Sequence, residues 1–423
     1  MLEKKKLRDI AEAISGIRPE NRSLEGIVSF IEEQANIVYE KQPNTFLGRL
    51  RELGYALNGV RPTQRSLRGI VNNIYENFNP EPPVSTKIYG VSGLWNSSTA
   101  LTRTDDAVGM NFTINLDGTI TSDFDKVFPY NQMKKVIIKN EVNGSNDCFV
   151  KIPSMWFRIG TTQYKQITDI AVSQVKGEGD GWFQTKEFYY GAYKATVEKI
   201  DNVRYITTPD YSYIINNSTL SDTRNYIKND GEYYQSLDLY HKTIMNFLFL
   251  IEFANKSSNT LFPMTYSSLQ QTRLTNAITT PSGVLSNGRL KWHYIEDIFG
   301  NITELLEGVY GNFYATADSS KFGDIDSYEQ LPYTNSINSE WLELYYWDNE
   351  NPFLCMFRTG GSENTHFCEK AITMTDIQGL NYAYVCGKSC LDAENNYYGM
   401  FGIDKAYKTS QFGVRLLYCP NGV

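Results

Sequence analysis

The sequence predicts an α+β protein with an N-terminal helical repeat, a small β module and a larger C-terminal domain. Three observations lead to this class. Apolar residues recur at helical spacing before residue 80, strand-like runs separated by turn residues begin near Lys87, and short apolar runs alternate with many turn residues from Thr260 onward. A chain of 423 residues is also longer than one ordinary domain, which favours two or three domains.

An internal repeat with a period of 43 residues occupies the N-terminal region. The segment that begins at Leu7 (LRDIAEAISGIRPENRSLEGIVSFI) recurs from Leu50 (LRELGYALNGVRPTQRSLRGIVNNI). In the first copy, Leu7, Ile10 and Ile14 fall on one side of a helix and form an apolar stripe. The repeat therefore predicts the same helical unit twice.

Turn residues divide each copy into two short helices. Gly16 ends the first helix, Pro19 prevents its continuation, and Ser23 is placed to cap the second helix. The second copy has the same residue types at Gly59, Pro62 and Ser66.

A helix pair of this size cannot bury its apolar face alone. The two copies must pack on each other, on copies from other chains, or on a larger assembly; a self-contained helical cap without a partner is the alternative. The pattern is similar to small helical repeats at the start of phage structural proteins. This resemblance implies that residues 1–80 anchor the protein to other virion proteins. The proline-rich residues 79–83 read as a stiff linker.

Residues 84–140 predict a small β linker module. Polar, strand-like runs and the Asp117-Gly118 turn signal suggest short strands whose edges lie on other domains. The wording of residues 101–109 (LTRTDDAVG), 122–125 (SDFD) and 128–130 (FPY) resembles a module in tail and fibre proteins of phages and prophages of low-GC bacteria.

Residues 141–423 predict a single binding domain. Strands are expected at 149–153 and 188–193, with a glycine-rich turn at 177–182 between them. Residues 239–255 predict a buried helix, because their apolar residues are too dense for a one-sided stripe. The remaining chain is rich in loops and short strands.

Three motifs connect this domain to a known family. Residues 297–304 (DIFGNITE), 358–362 (RTGGS) and 412–415 (FGVR) occur in this order. Their order and wording resemble the formylglycine-generating enzyme family, a branch of the C-type-lectin-like fold. The resemblance implies a C-type-lectin-like, formylglycine-generating-enzyme-type fold for residues 141–423.

The residues that such enzymes use for catalysis do not line up. The oxidase requires a copper-binding cysteine pair shortly after the Gly-Gly-Ser element, whereas this chain has only Cys368 there and the next cysteine is Cys386. Related sulfur-transferring enzymes use a histidine-rich iron site, and the chain has only His241, His293 and His366. We therefore expect no catalytic residues and no enzyme activity.

Other site chemistries are weaker candidates. The turn at residues 347–352 (WDNENP) has oxygen ligands that suit calcium, but turns are ordinarily rich in these residues. Carboxylate pairs for glycoside hydrolysis, such as Glu304 and Glu307, are expected by chance in an acidic chain. Cysteine spacing does not suggest structural zinc. We expect no metal and no cofactor.

The C-terminal window predicts a ligand-binding face. In C-type-lectin-like phage proteins, the residues between Gly-Gly-Ser and Gly-Val-Arg form a variable face, which a diversity-generating retroelement commonly rewrites. Aromatic rings stack on ligands, and amides donate and accept hydrogen bonds. The candidate ligand-binding residues are Trp341, Tyr345, Trp347, Asn364, His366, Asn381, Tyr382, Tyr384, Asn395 and Asn396. Because Tyr345 and Trp347 share one face of a strand and Tyr346 takes the other, one of these faces is expected to be buried.

Charge and hydropathy exclude several partners. The net charge of −8 argues against nucleic acid, which requires a basic face. Residues 244–254 form the longest apolar stretch, which is too short to span a membrane and contains Glu252. The charged start predicts no secretory signal, so the chain is expected to be made in the host cytoplasm with its cysteines reduced and mostly buried.

Together these observations predict a non-enzymatic bacteriophage virion fibre protein with a receptor-binding tip. The partner of the tip is expected to be a bacterial surface glycan or protein, and the fibre a homotrimer, since multivalency strengthens weak sites. A capsid-attached head fibre or decoration protein is the alternative within this class. A degenerate formylglycine-generating-type metalloenzyme is the alternative of another class.

Overall fold

A computed structural model describes most of the chain. It covers residues 2–15, 19, 23–34, 45–58, 62–63, 66–77, 84–208, 220–263, 270, 278, 280–310, 314–330, 341–347, 350–369, 382–387, 399–407 and 412–422. The chain divides into two compact units, Met1–Val84 and Ser85–Val423. It combines helices with antiparallel sheets, so the predicted α+β class is confirmed.

The first unit consists of helices from both copies of the repeat. They are α1 (Leu2–Ser15), α2 (Leu24–Gln34), α3 (Phe46–Asn58) and α4 (Leu67–Asn77). The hydroxyls of Ser23 and Ser66 accept hydrogen bonds from the backbone N–H of Gly26 and Gly69, at 3.0 and 3.1 Å, so both serines cap helices as predicted. Gly16 and Gly59 lie outside the described residues.

The two copies bury their apolar faces against each other. One core cluster takes residues from all four helices, among them Leu7, Ile27, Leu50 and Ile74, each of which is fully buried. Of the arrangements that the sequence left open, packing of copy on copy is therefore present within the chain.

The second unit is rich in short strands. Up to residue 207 the strands are β1 (Ile88–Ser92), β2 (Thr102–Asp105), β3 (Phe112–Ile114), β4 (Thr119–Ser122), β5 (Lys134–Lys139), β6 (Asn146–Ile152), β7 (Met155–Thr161), β8 (Ile167–Ser173), β9 (Trp182–Thr185), β10 (Phe188–Gly191), β11 (Thr196–Ile200) and β12 (Val203–Thr207).

Helices and further strands follow. The helices are α5 (Leu220–Asp230), α6 (Leu239–Phe253) and α7 (Ser258–Leu261). The strands are β13 (Tyr234–Ser236), β14 (Ser282–Val284), β15 (Leu290–Trp292), β16 (Ile295–Glu296), β17 (Glu304–Leu306), β18 (Val309–Tyr310), β19 (Tyr314–Ala315), β20 (Glu329–Gln330), β21 (Leu342–Tyr346), β22 (Met356–Thr359), β23 (Tyr382–Cys386), β24 (Ile403–Tyr407) and β25 (Leu416–Tyr418).

Three five-stranded sheets form most of this unit. Their orders are β2-β1-β8-β7-β9, β13-β25-β10-β6-β5 and β16-β15-β14-β4-β3. Smaller sheets have the orders β11-β12, β17-β23-β24, β18-β19-β20 and β21-β22. In the second large sheet, the C-terminal β25 lies beside β10, so the end of the chain closes a sheet that begins near residue 134.

Helix α6 lies at the centre of the main core. Every residue of α6 except Tyr240 is buried, which confirms the helix predicted at residues 239–255. Its rings contact aromatic residues from distant parts of the chain: Phe247 contacts Phe157, and Phe249 contacts Trp292. No helix in the described part of the chain is long and apolar enough to cross a bilayer.

Residues 84–140 do not form a separate module, which corrects the predicted boundary near residue 141. Strand β1 pairs with β8, β4 pairs with β14, and β5 pairs with β6. Phe124 is fully buried in the same core cluster as α6. Strands of residues 84–140 therefore pair with later strands, and the two segments belong to one folded unit. The predicted Asp117-Gly118 turn is present, with Gly118 at a φ of 83° between β3 and β4.

Candidate functional site

Two of the predicted ligand-binding residues are core residues, which corrects their assignment. Tyr345 is 1% exposed, and its hydroxyl accepts a hydrogen bond from the Asn246 side chain at 3.1 Å. Trp347 is 6% exposed and packs edge-on against Phe183. The strand alternation was predicted correctly: this face of β21 is buried, and Tyr346 on the other face is half-buried.

Three of the predicted binding residues, Trp341, Asn364 and His366, lie in neighbouring segments and are partly or fully exposed. Trp341 is half-buried, and its carbonyl accepts hydrogen bonds from the N–H groups of Gly360 and Gly361, at 2.9 and 3.2 Å. This pairing holds the Gly-Gly-Ser element against the start of β21. Asn364 follows in an exposed turn, and His366 is half-buried after it.

A loop from the start of the unit, residues 94–98, joins this surface. The His366 N–H donates to the Ser97 carbonyl at 2.7 Å. Trp95 in the loop is 53% exposed, and the adjoining Asn96, Ser97 and Ser98 are also exposed. We call the surface formed by residues 94–98, Trp341 and residues 362–366 the loop face.

A buried lysine fixes the position of residues 94–98. The Lys256 ammonium group donates to the carbonyls of Leu94 and Asn96, at 3.0 and 2.5 Å, and lies over the Phe367 ring at 5.5 Å. Burial lowers the pKa of Lys256 to about 8. Burial also lowers the pKa of His366, and the nearby charge of Lys256 lowers it further. The sequence did not predict that residues 94–98 belong to this surface, because Trp95 and Asn364 are far apart in the chain.

Three residues after His366 in the chain, the buried carboxylate of Glu369 accepts hydrogen bonds from two other segments. Glu369 accepts hydrogen bonds from the hydroxyl and N–H of Ser258, at 2.6 and 3.2 Å. It also accepts from the N–H groups of Gly399, Phe401 and Gly402, at 3.2, 2.8 and 2.9 Å. Burial raises the pKa of Glu369 to about 7, although these donors oppose the shift. The carboxylate thus connects residues 399–402, which lie in the predicted variable window, to α7.

The other predicted binding residues are only partly described. Tyr382 and Tyr384 lie on β23, opposite Tyr407 and Lys405 of β24, and their side chains are outside the described part of the chain. Asn381, Asn395 and Asn396 lie outside the described residues altogether. Their assignment to a ligand-binding face stays a prediction.

Two of the three motifs that carry the family resemblance, residues 297–304 and 412–415, contribute to buried charge pairs. Glu304 contacts the Lys194 ammonium group at 2.9 Å and the Arg415 guanidinium at 2.6 Å. All three side chains are at most 2% exposed, and Arg415 also donates to the carbonyls of Gly191, Glu296 and Asp297. These motif residues hold β17, β25 and the chain after β10 together.

A second charge cluster surrounds Asp297. Arg289 donates to Asp297 Oδ1 at 3.0 Å and also pairs with Glu296. Asn301 donates to Asp297 Oδ2 at 3.0 Å and to the Gln270 carbonyl. Buried charges are tolerated when each is paired and hydrogen-bonded. Asp297, Glu304 and Arg415 of these motifs are thus each engaged in buried ion pairs.

The carboxylates that were considered for glycoside hydrolysis are occupied. Glu304 is paired as above, and Glu307 accepts two hydrogen bonds from Arg224, at 2.7 and 2.8 Å. Both carboxylates are therefore engaged by basic side chains.

In the calcium site considered at residues 347–352, Asp348 and Asn349 lie outside the described residues. Elsewhere in the described chain, Asp125, Glu252 and His293 bring possible metal-ligand atoms within 4.8 Å of one another. His293 Nε2 lies 2.7 Å from Glu252 Oε2, which also accepts from the Trp292 indole N–H at 2.7 Å. This oxygen and this nitrogen are thus already engaged in a buried imidazole–carboxylate pair.

No protein-family model matches the chain, and no curated protein matches it significantly. Functional inference therefore depends on the residues and geometry described above and on the motif resemblance.

Proposed function

We propose that this chain is a bacteriophage virion fibre protein whose second unit is a C-type-lectin-like receptor-binding tip. The tip recognises a bacterial surface glycan or protein through the loop face and the adjoining variable window. The observation that carries the proposal is the convergence of residues 94–98 with residues 362–366 on one surface, where Lys256 donates to the carbonyls of Leu94 and Asn96.

The composition of the loop face suits recognition. Trp95 offers an exposed ring for stacking, and Asn96, Asn364 and the serine hydroxyls offer hydrogen-bond donors and acceptors. Sugars and polar protein epitopes both use this combination. The buried supports restrain the loops before a ligand arrives, which reduces the entropic cost of binding.

The metalloenzyme alternative has less support. Cys368 lies near the Gly-Gly-Ser element, but its thiol contacts the Thr365 carbonyl at 3.6 Å, and Cys386 is fully buried on β23. The motif residues serve the buried charge clusters. Binding therefore accounts for the arrangement better than the oxidase chemistry of the resembled family.

The first unit is proposed to anchor the chain to other virion proteins. Its helices present polar outer faces around a small core, and the proline-rich residues 79–83 separate it from the second unit in sequence. Three chains in one fibre would raise the avidity of a weak tip. Attachment to the capsid as a head fibre or decoration protein is the alternative location.

The test is binding of the labelled full chain to bacterial cells and to their purified surface glycans. Trp95→Ala and Asn364→Ala should each weaken saturable binding about 5- to 50-fold, the usual range for residues that contact a ligand. Tyr55→Ala, which removes an exposed ring from the first unit, is the matched control and should have no effect. Metal analysis of protein purified without chelators tests the alternative, since stoichiometric copper or iron would favour the enzyme.

A further inference from the structure

Three side chains of the second unit form a chain of polar contacts apart from the loop face. Cys419 Sγ lies 3.7 Å from His241 Nε2, and His241 Nδ1 lies 2.7 Å from Asp238 Oδ2. All three residues are buried, with Cys419 at 5% exposed. This is the order of contacts in a nucleophile–base–carboxylate triad.

The surrounding structure fixes the orientation of each group. Asp238 caps α6, where its Oδ1 accepts from the His241 N–H at 2.9 Å, and its Oδ2 also accepts from the Gln235 side chain at 2.6 Å. The Phe188 ring packs edge-on against the imidazole, with centroids 4.5 Å apart. The Cys419 N–H donates to the Tyr233 carbonyl at 2.8 Å.

The imidazole is strongly biased towards its charged form. Burial alone would lower the pKa of His241, but Asp238 and Cys419 outweigh it and raise the pKa to about 10. The thiolate is the nucleophilic form of cysteine, and an adjacent imidazole activates a thiol as a nucleophile. The Tyr240 ring also packs edge-on against the imidazole, with centroids 5.1 Å apart.

A cavity large enough for a small molecule lies beside Cys419. It has a volume of about 600 Å³, and its wall includes Cys419, Gln235, Glu232 and Asp318. A neighbouring cavity of about 420 Å³ shares Glu232 and Gln235. The two carboxylates give the wall an acidic character, which suits a ligand with cationic or hydroxyl groups.

We propose that Cys419, His241 and Asp238 form an acyl-transfer site that accepts an amide or ester with cationic or hydroxyl groups on its acyl portion. Cys419 is the nucleophile, His241 the general acid and base, and Asp238 the positioning residue. This activity goes beyond the proposed binding function and uses none of the residues of the loop face.

The reaction balances with water as its only co-reactant. The Cys419 thiolate attacks the carbonyl carbon and forms a C–S bond, the C–N or C–O bond breaks, and the leaving group takes a proton from His241 Nε2. The amine or alcohol departs and leaves a thioester on Cys419. Water then attacks the thioester as His241 takes its proton, the C–S bond breaks, and the carboxylic acid is released.

Other cysteines of the chain provide internal comparisons. Cys386 is fully buried, and burial raises its pKa to about 11. Cys368 is half-buried at the surface, and burial also raises its pKa. The Cys368 thiol contacts the Thr365 carbonyl at 3.6 Å and is more accessible than Cys386, so it serves as the reference for reactivity.

The first test is alkylation of the full chain by iodoacetamide at pH 7, with each site quantified by mass spectrometry. Cys419 should react at least about 10-fold faster than Cys368, because a neighbouring imidazole held by a carboxylate activates a thiol as a nucleophile. His241→Gln should slow Cys419 by a similar factor and leave Cys368 unchanged. Equal rates for the two cysteines in the unmodified protein would overturn the proposal, whatever the variant does.

The second test uses p-nitrophenyl acetate as an activated ester. The proposal predicts an acetyl group on Cys419 and release of p-nitrophenolate, both abolished by Cys419→Ser and both retained by Cys368→Ser. Fast alkylation without acetylation of Cys419 would show a reactive thiol but no acyl transfer, and the proposal would then be wrong. Neither result bears on binding by the loop face.

Discussion

At the scale of single residues, buried charges determine which substitutions the second unit tolerates. Arg415 is fully buried between Glu304 and backbone carbonyls, whereas Arg358 pairs with Glu343 at the surface, with its side chain 42% exposed. Removing one partner of a buried pair leaves the other charge without compensation, while an exposed pair contributes little.

We therefore expect Arg415→Met to lower the free energy of unfolding by about 3–5 kcal/mol, and Arg358→Met by about 0–1 kcal/mol. Urea denaturation of the two variants measures the difference. Equal stability losses would contradict the structural role assigned to Arg415.

His241 gives a pH-dependent prediction at the same scale. Asp238 and Cys419, acting against burial, raise its pKa to about 10. A histidine whose pKa is raised by folding stabilises the protein below its unfolded pKa of about 6.5 and loses that contribution as the pH rises through the folded pKa. The stability difference between the unmodified protein and His241→Gln should thus be largest near pH 6 and shrink towards pH 10. Urea midpoints at both pH values check this, and a difference that grows with pH would contradict it.

Sequence patterns predicted that a strand has one buried face better than they predicted which residues lie on the surface. The alternation along β21 predicted one buried face, but a strand pattern does not say which face meets the core, and Tyr345 and Trp347 lie on the buried one. Trp95 was missed because contacts between segments far apart in the chain, such as the hydrogen bond from His366 to Ser97, bring residues 94–98 to this surface. The Cys419–His241 contact also joins residues that are far apart in the chain.

At the scale of elements, Glu369 links α7, the start of β21 and residues 399–402. Its backbone carbonyl also accepts from the Leu342 N–H at 2.8 Å. Local signals do not predict such a hub, because its donors are backbone groups from separate segments. By contrast, the predicted helix at α6 and the turn at Gly118 depend on local sequence alone, and both are present.

Glu369→Gln should therefore loosen the loop face. The substituted amide nitrogen would point at N–H donors in place of a carboxylate oxygen, which should cost about 1–3 kcal/mol of unfolding free energy. Ligand binding should weaken as well, since residues 399–402 of the variable window lose their support. Glu141→Gln, at an exposed glutamate outside the loop face, is the control. Unchanged stability and binding in Glu369→Gln would exclude this supporting role.

At the scale of the whole molecule, the chain consists of two compact units with separate cores. The repeat predicted the first unit because its helical spacing and turn residues are local features. The extent of the second unit was harder to predict, since β1 and β4 find their partners in strands that lie much later in the chain.

Deletion of residues 1–83 should leave the thermal transition of the second unit unchanged, because its core contains none of these residues. The same deletion should abolish incorporation into virus particles while binding of the tip to cells persists. Calorimetry and particle composition measure the two effects. Loss of both cell binding and incorporation would contradict the proposed division between anchor and tip.

The measurement that tests the central claim most directly is saturable binding of the clustered full chain to bacterial host cells, compared with Tyr382→Ala/Tyr384→Ala. The account predicts saturable binding that the double change weakens at least about 10-fold, while Tyr55→Ala in the first unit leaves it unchanged. Absence of binding by the unmodified chain, even when it is clustered on beads, would contradict the receptor-binding role and favour a structural head or tail decoration.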